Sequence, residues 1–511
     1  VSNHHYDIII IGSGAGGGTM VHALSSTPAR ILLVERGDFV PREKENWSPE
    51  SVWKDRRYRP PDEWWIDERR WTWRKFRPYT HYSVGGNTKF WGSVLFRLRR
   101  EDFEAVEHEE GISPAWPISY ETLEPFYEEA ERLYHVHGER GGDPTEPKRG
   151  PFPYPPVAHE PRMAAIVEAL ERQGLRPFSL PLGLISPRQQ GGCVLCATCN
   201  SFPCFLHAKS EADVCCVRPA LDRPNVTLWT NARARRLITD ASGRAVTAVE
   251  IERDGKMLRA EAPLFIVSCG AVNSAALLLR SASPAHPNGL ANSSGLVGAR
   301  YMAHLATMIS AFDHRRKNET VFQKTVAIND FYLPGPNGRY PLGQIQSQGR
   351  TQAVVLKTES PWYGRWIPLR AWERWASSSV DWLAMSEDLP MVDNRVTLGR
   401  DGRIHLRYRQ NNAKAHTALV KRTQEMLTQI GFYTIKHSLG TRNTTHQCGT
   451  LCFGTDPRAS VLDPWCRTHD IDNLFVVDAS FFPSSAAVNP GLTIVAQALR
   501  VATHIKDTHL K

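Results

Sequence analysis

The chain has 511 residues, enough for two cores or two intertwined domains, and its 41% hydrophobic and 23% charged content is that of an ordinary globular protein. No apolar run approaches the roughly 20 residues that cross a bilayer, which excludes a helical membrane protein. The net charge of +9 is spread along the sequence. Its densest basic stretches, residues 54–59, 69–77 and 97–100, interleave with Trp53, Trp64, Trp65, Trp71 and Trp73. A solvated basic face beside buried aromatics accounts for them better than base stacking, so no nucleic-acid partner is expected.

In chain order, Asp7 precedes the apolar run Ile8-Ile9-Ile10-Ile11, which enters Gly12-Ser13-Gly14-Ala15-Gly16-Gly17. A second apolar run, Ile31-Leu32-Leu33-Val34, ends on Glu35. Strand, glycine turn, helix, strand and acid in this order predict a dinucleotide-binding unit. Gly12 permits the tight turn, Gly14 lets backbone approach a pyrophosphate, and Gly17 lets the helix pack close to the strand. Ala15 opens that helix, whose free N–H groups and dipole face the phosphates. Glu35 can accept hydrogen bonds from a ribose and would repel a 2′-phosphate. The first strand begins without a charged n-region or apolar h-region, which points to a cytoplasmic chain.

Further strands are predicted at 225–230, at 246–251 before an Asp254-Gly255 turn, and at 264–268. The last runs into Cys269-Gly270-Ala271-Val272-Asn273-Ser274 and an apolar helix at 275–280. Near the end, 474–478 reads as a buried strand closing on Asp478, and 491–505 as a helix. These pieces predict an α/β protein with a discontinuous nucleotide domain (1–99, 215–300 and 455–511). A second, α+β domain is inserted as 100–214, including a cysteine-rich loop, and 301–454.

Several motifs resemble the glucose–methanol–choline (GMC) oxidoreductases, and the resemblance covers nearly the whole chain. Val84-Gly85-Gly86-Asn87-Thr88-Lys89-Phe90-Trp91-Gly92 looks like that family's glycine loop. Residues 266–274 resemble its second signature. Most specific are His446-Gln447-Cys448-Gly449-Thr450, Gly454-Thr455-Asp456-Pro457, Val476-Val477-Asp478-Ala479-Ser480 and Asn489-Pro490-Gly491-Leu492-Thr493, in that order.

The resemblance implies a Rossmann-type FAD-binding domain whose insertion covers the flavin, and alcohol oxidation by hydride transfer to flavin N5. His446 is the expected base, since imidazole can be neutral at pH 7. Asn489 is the expected partner that holds the alcohol oxygen, a His–Asn pair similar to that of pyranose oxidases. Gly12, Gly14, Ala15, Gly17, Glu35, Gly85, Gly86, Asn87, Thr88, Trp91, Gly92, Cys269, Gly270, Asp478, Asn489, Pro490 and Thr493 are expected around FAD. The helix after Asn489 would stabilise the reduced flavin. Pyranose oxidases attach FAD to a histidine in the glycine loop. That position falls here on Phe90, so non-covalent FAD is expected, with His81 as the alternative attachment point.

The expected substrate is a sugar or glycoside, oxidised at a C2 or C3 ring hydroxyl. Gln344, Glu387 and Asp388, with His446 and Asn489, are the expected binding residues, and oxygen or another acceptor takes the electrons. The alternatives are a primary alcohol on an aminoglycoside or another alcohol, a member with no net redox role, and a dehydrogenase passing electrons through a cysteine-bound cluster. Cys193, Cys196, Cys199 and Cys204 have the density of a metal or iron–sulfur site but not the ferredoxin spacing, so reduced thiols are expected instead.

Overall fold

The computed structural model describes residues 3–69, 72–313, 315–334, 338–360, 364 and 366–510. Trp71, of the basic aromatic stretch, lies outside them. Five parallel strands form the nucleotide sheet in the order Val226–Trp229, Ile31–Val34, Ile8–Ile11, Leu264–Val267 and Leu474–Val476. The three central strands are buried along their whole length, as expected of parallel strands covered on both faces. Successive strands extend the sheet in one direction and then in the other from Ile8–Ile11. The switch point therefore falls between the carboxyl ends of Ile8–Ile11 and Leu264–Val267, beside Gly12 and Ser268.

Helix Ala15–Leu24 follows the glycine turn and packs against the long C-terminal helix Gly491–His509. A meander of Ala232–Thr239, Val246–Arg253 and Lys256–Glu261, with Asn3–His5 added at its edge, lies beside this unit.

A second sheet is wholly antiparallel, in the order Tyr433–Ser438, Leu305–Phe312, Ser379–Ser386, Gln344–Ser347, Val326–Ile328 and Phe178–Ser179. The alternation of its strands decides what each face does. Ile309, Trp382 and Ala384 point to helices Pro161–Glu171 and Ala413–Gln429, where they pack with Ile166 and Leu419. Met308, Leu383 and Gln346, paired across three strands, face the cavity described below.

The segment 100–214 does not belong as a unit to the second part. Helix Tyr120–Leu133 packs on Gly491–His509, with Tyr127 bonded to Thr493 at 2.8 Å, whereas Phe178–Ser179 joins the antiparallel sheet. A small sheet of Trp64–Asp67, Trp73–Phe76, Arg395–Leu398 and Ile404–Arg407 further ties early and late segments together. No helix among the described residues is long and apolar enough to cross a membrane.

Candidate active site

A cavity of about 880 Å³ opens at the switch point and is walled on its far side by the antiparallel sheet. Gly12 closes the first strand at a φ of 99°, and a Cβ there would overlap the Ser268 carbonyl oxygen. A Cβ on Gly14 would meet nothing within 4 Å, so this backbone faces open space. Ser13 ties the parts together. Its N–H and hydroxyl donate to Glu35 at 3.1 and 2.6 Å, and its oxygen accepts from the Gly85 N–H at 3.1 Å. Burial raises the Glu35 carboxyl above its usual range, opposed by Ser13 and Gly37.

Ala15, Glu35, Gly86, Asn87, Thr88, Trp91, Gly92, Cys269, Gly270, Asp478, Asn489 and Pro490 line the same cavity as Gly12 and Gly14. Asp478 accepts from Gly270 N–H at 3.0 Å, Ser274 Oγ at 2.5 Å and Ser480 N–H at 2.9 Å, and so holds the Gly270 turn open.

Three expected cofactor residues do not line the cavity. Gly17 packs under the turn, where a Cβ would overlap the Gly12 carbonyl. Gly85 supplies a left-handed turn with a φ of 90°. Thr493, in the first turn of helix Gly491–His509, is consumed by Tyr127.

The loop that carries His446 is pinned on three sides. Gln447 Oε1 accepts from Val272 N–H at 2.9 Å, Thr450 Oγ1 donates to Ala271 O at 2.7 Å, and Cys448 exchanges backbone hydrogen bonds with Met302. The last contact brings His304 beside His446, with their Nδ1 atoms 2.9 Å apart, while His304 Nε2 lies 3.1 Å from Ser485 O. A carbonyl oxygen only accepts, so His304 carries its proton on Nε2 and His446 donates through Nδ1. His446 Nε2 is left as a bare acceptor. Burial, then His304 and Lys324, push His446 down to about 3, so it is neutral at pH 7.

Asn489 lines the cavity just before helix Gly491–His509, and its buried Oδ1 has no partner among the described residues.

The expected substrate residues from the inserted part are corrected by the geometry. Gln344, Glu387 and Asp388 do not line the cavity. Gln344 donates to Asn329 at 3.3 Å. Glu387 is clamped by His108 Nε2 at 3.1 Å and Ser113 Oγ at 2.6 Å. Asp388 accepts from Ala303 N–H at 2.9 Å and Tyr408 OH at 2.8 Å, and burial raises it to about 8. Gln346 and Gln348 line the cavity instead, and Gln346 Oε1 is buried without a partner among the described residues.

His81 also lines the wall, stacked on Phe90 with centroids 3.7 Å apart. All ten cysteines are free, and no group of His, Cys, Asp and Glu among the described residues is placed to hold a metal ion. Burial pushes the Cys193 and Cys199 thiols up to about 12 and 11.

Sequence reasoning passed over Ser13, Gly16 and His304. The first two sit inside the glycine motif and could have been taken from it, whereas His304 lies in a segment with no motif.

Residues 6–306 and 390–498 match the GMC oxidoreductase family. The chain belongs to the GMC oxidoreductases. It is 32% identical to 6'''-hydroxyparomomycin C oxidase of Streptomyces lividus, over 98% of this chain and 92% of that one. It is 30% identical to paromamine 6'-oxidase of Streptomyces fradiae, over 97% and 90%. Pyridoxine 4-oxidase from Mesorbium loti shares the fold, with a TM-score of 0.68 at 19% identity over 98% of this chain and 99% of that one. This GMC oxidoreductase is thus a FAD-dependent enzyme acting on alcohols. The cavity fits the cofactor in chemistry: unhindered backbone at Gly14 and Gly270, a helix N-terminus at Gly491, and the orphaned Asn489 carbonyl.

Proposed function

We propose that the protein oxidises a hydroxyl group on a sugar or glycoside, with His446 removing the hydroxyl proton. FAD, when bound, accepts the hydride. The glycine turn, Glu35, the 86–92 loop, the Gly270 turn and Asp478 would hold it, and the N-terminus of Gly491–His509 would face its negative charge. The observation that supports the reading is the bare Nε2 of His446, made an acceptor by the His304–Ser485 chain on a residue that lines the cavity. Asn489, through its unpartnered Oδ1 and its amide N–H, would hold the alcohol. Oxygen or another acceptor reoxidises the flavin.

Similarity to two aminoglycoside oxidases favours a primary hydroxyl on such a compound over the C2 or C3 ring hydroxyl. One observation favours a sugar without ammonium groups. Besides Glu35 and Asp478, Glu359 is the one carboxylate among the described residues lining the cavity, against Arg56, Arg59, Arg350 and Lys436. Anaerobic bleaching of the FAD-loaded protein by methyl glycosides, aminoglycosides and simple alcohols tests the reading. Bleaching by simple alcohols alone would overturn it.

A further inference from the structure

Three lysine side chains among the described residues are fully buried: Lys89, Lys209 and Lys324. Lys89 is compensated by Glu211 and Asp213, and Lys209 reaches Glu211 at 3.4 Å. Lys324 has no carboxylate within salt-bridge reach among the described residues. Its Nζ donates to Gly92 O at 2.8 Å and to Asn200 Oδ1 at 3.0 Å, two neutral acceptors. Its side chain is 1% exposed, yet it lines the same cavity as His446, and its ammonium occupies the place that a Cβ on Gly92 would take.

An ammonium taken out of water without a counter-charge is costly, and the other two buried lysines show how this chain offsets that cost. The missing negative charge has a source in the reaction, given the reading above that FAD occupies this cavity. Oxidation moves a hydride from the carbinol carbon to FAD and the hydroxyl proton to His446, so the cofactor gains one negative charge. We propose that Lys324 is the buried cation that stabilises this charge, and so favours the reduced over the oxidised cofactor. Burial pushes Lys324 down to about 7, with Cys199 and Lys209 as its next influences, and a negative charge set beside it would hold its proton in place.

The test is the midpoint potential of the FAD-loaded protein, measured by dye-coupled reduction. Lys324→Gln keeps N–H donors for Gly92 and Asn200 and removes the charge. Asn200→Asp leaves Lys324 in place and supplies a neighbouring carboxylate. Both are expected to weaken binding of reduced relative to oxidised FAD about tenfold, a fall of about 30 mV for a two-electron couple. Lys324→Arg should stay near the parent value. A parent-like potential in Lys324→Gln, or in Asn200→Asp should the first variant not fold, overturns the proposal and leaves the functional reading standing. A parent protein that takes up no FAD overturns both.

Discussion

His304 Nδ1 accepts the hydrogen bond of His446 Nδ1–H across 2.9 Å, and this contact sets the tautomer of the proposed base. Rotation of His304 is prevented by Ser485 O on its other nitrogen, so the bare Nε2 of His446 is fixed by backbone two residues removed from the chemistry. The interplanar angle of 80° between the rings fits an in-plane hydrogen bond rather than stacking.

Removing the base and removing its orienter should therefore differ. His446→Ala is expected to bind FAD normally and to slow anaerobic flavin reduction by about 10²–10⁴-fold, the range for loss of a general base. His304→Ala leaves the imidazole in place and should cost less, with reduction slowed and FAD content unchanged. Stopped-flow reduction of both variants at saturating substrate measures the difference. An unaltered rate in His446→Ala would remove the base assignment.

The pH profile follows from the same pair. A base works when deprotonated, so the rate falls only as pH drops through its folded pKa. With His446 held at about 3, flavin reduction should show no acid limb from this group above about pH 4. His304→Ala removes one of the neighbours that lower His446, and the limb should move up toward the ordinary histidine value. The checkable quantity is the reduction rate constant from pH 4 to 8 in both proteins.

The glycine turn separates folding from cofactor binding. Gly12→Ala forces a Cβ onto Ser268 O at a φ of 99°, and should yield little folded protein. Gly14→Ala meets nothing and should fold with the parent's thermal stability, yet its methyl group stands where the cofactor approaches. FAD content and Tm of the two variants distinguish them. A Gly14→Ala protein with parent-like FAD affinity would place the pyrophosphate elsewhere.

The nucleotide half was legible because buried parallel strands read as unbroken apolar runs, and Ile8–Ile11 and Leu264–Val267 end on glycine turns whose geometry few other residues allow. His446 was legible only through its motif. The inserted part was not. Glu387 and Asp388 read as substrate-binding acids, but they are buried clamps whose partners, such as His108, Ser113 and Tyr408, are remote in sequence. Gln344 and Gln346 share a strand face, and only packing at one end, against Asn329, takes Gln344 out of the cavity. His304 carries no pattern at all, since its role arises from the Met302–Cys448 pairing that brings the two chain segments together.

Asp388 makes a stability prediction. Its folded pKa of about 8 lies above the unfolded value of about 3.9, so the folded state binds more protons between them and stability falls as pH rises through that window. Asp388→Asn removes this dependence while keeping an acceptor for Ala303 and Tyr408. Denaturation at pH 5 and pH 8 should show the parent losing stability relative to the variant, by at most about 1.4 kcal/mol per pH unit. Asp102, raised to about 7, has the same sign and contributes equally to both proteins.

Asn489 tests the other half of the proposed catalytic pair. Its Oδ1 is buried without a partner among the described residues, a state normally relieved by a ligand, and it stands beside the N-terminus of Gly491–His509. An amide that holds the alcohol oxygen contributes to binding and to alignment. Asn489→Ala should therefore lower kcat/KM by about 10–100-fold, the cost of one hydrogen bond to a reacting group. Asn489→Asp introduces a carboxylate that cannot donate to the alcohol oxygen and that faces the charge arriving on the flavin. It should slow reduction further than Asn489→Ala does, although its acceptor is preserved. If the two variants reduce equally fast, Asn489 serves only the turn before Pro490, and the alcohol is held by His446 alone.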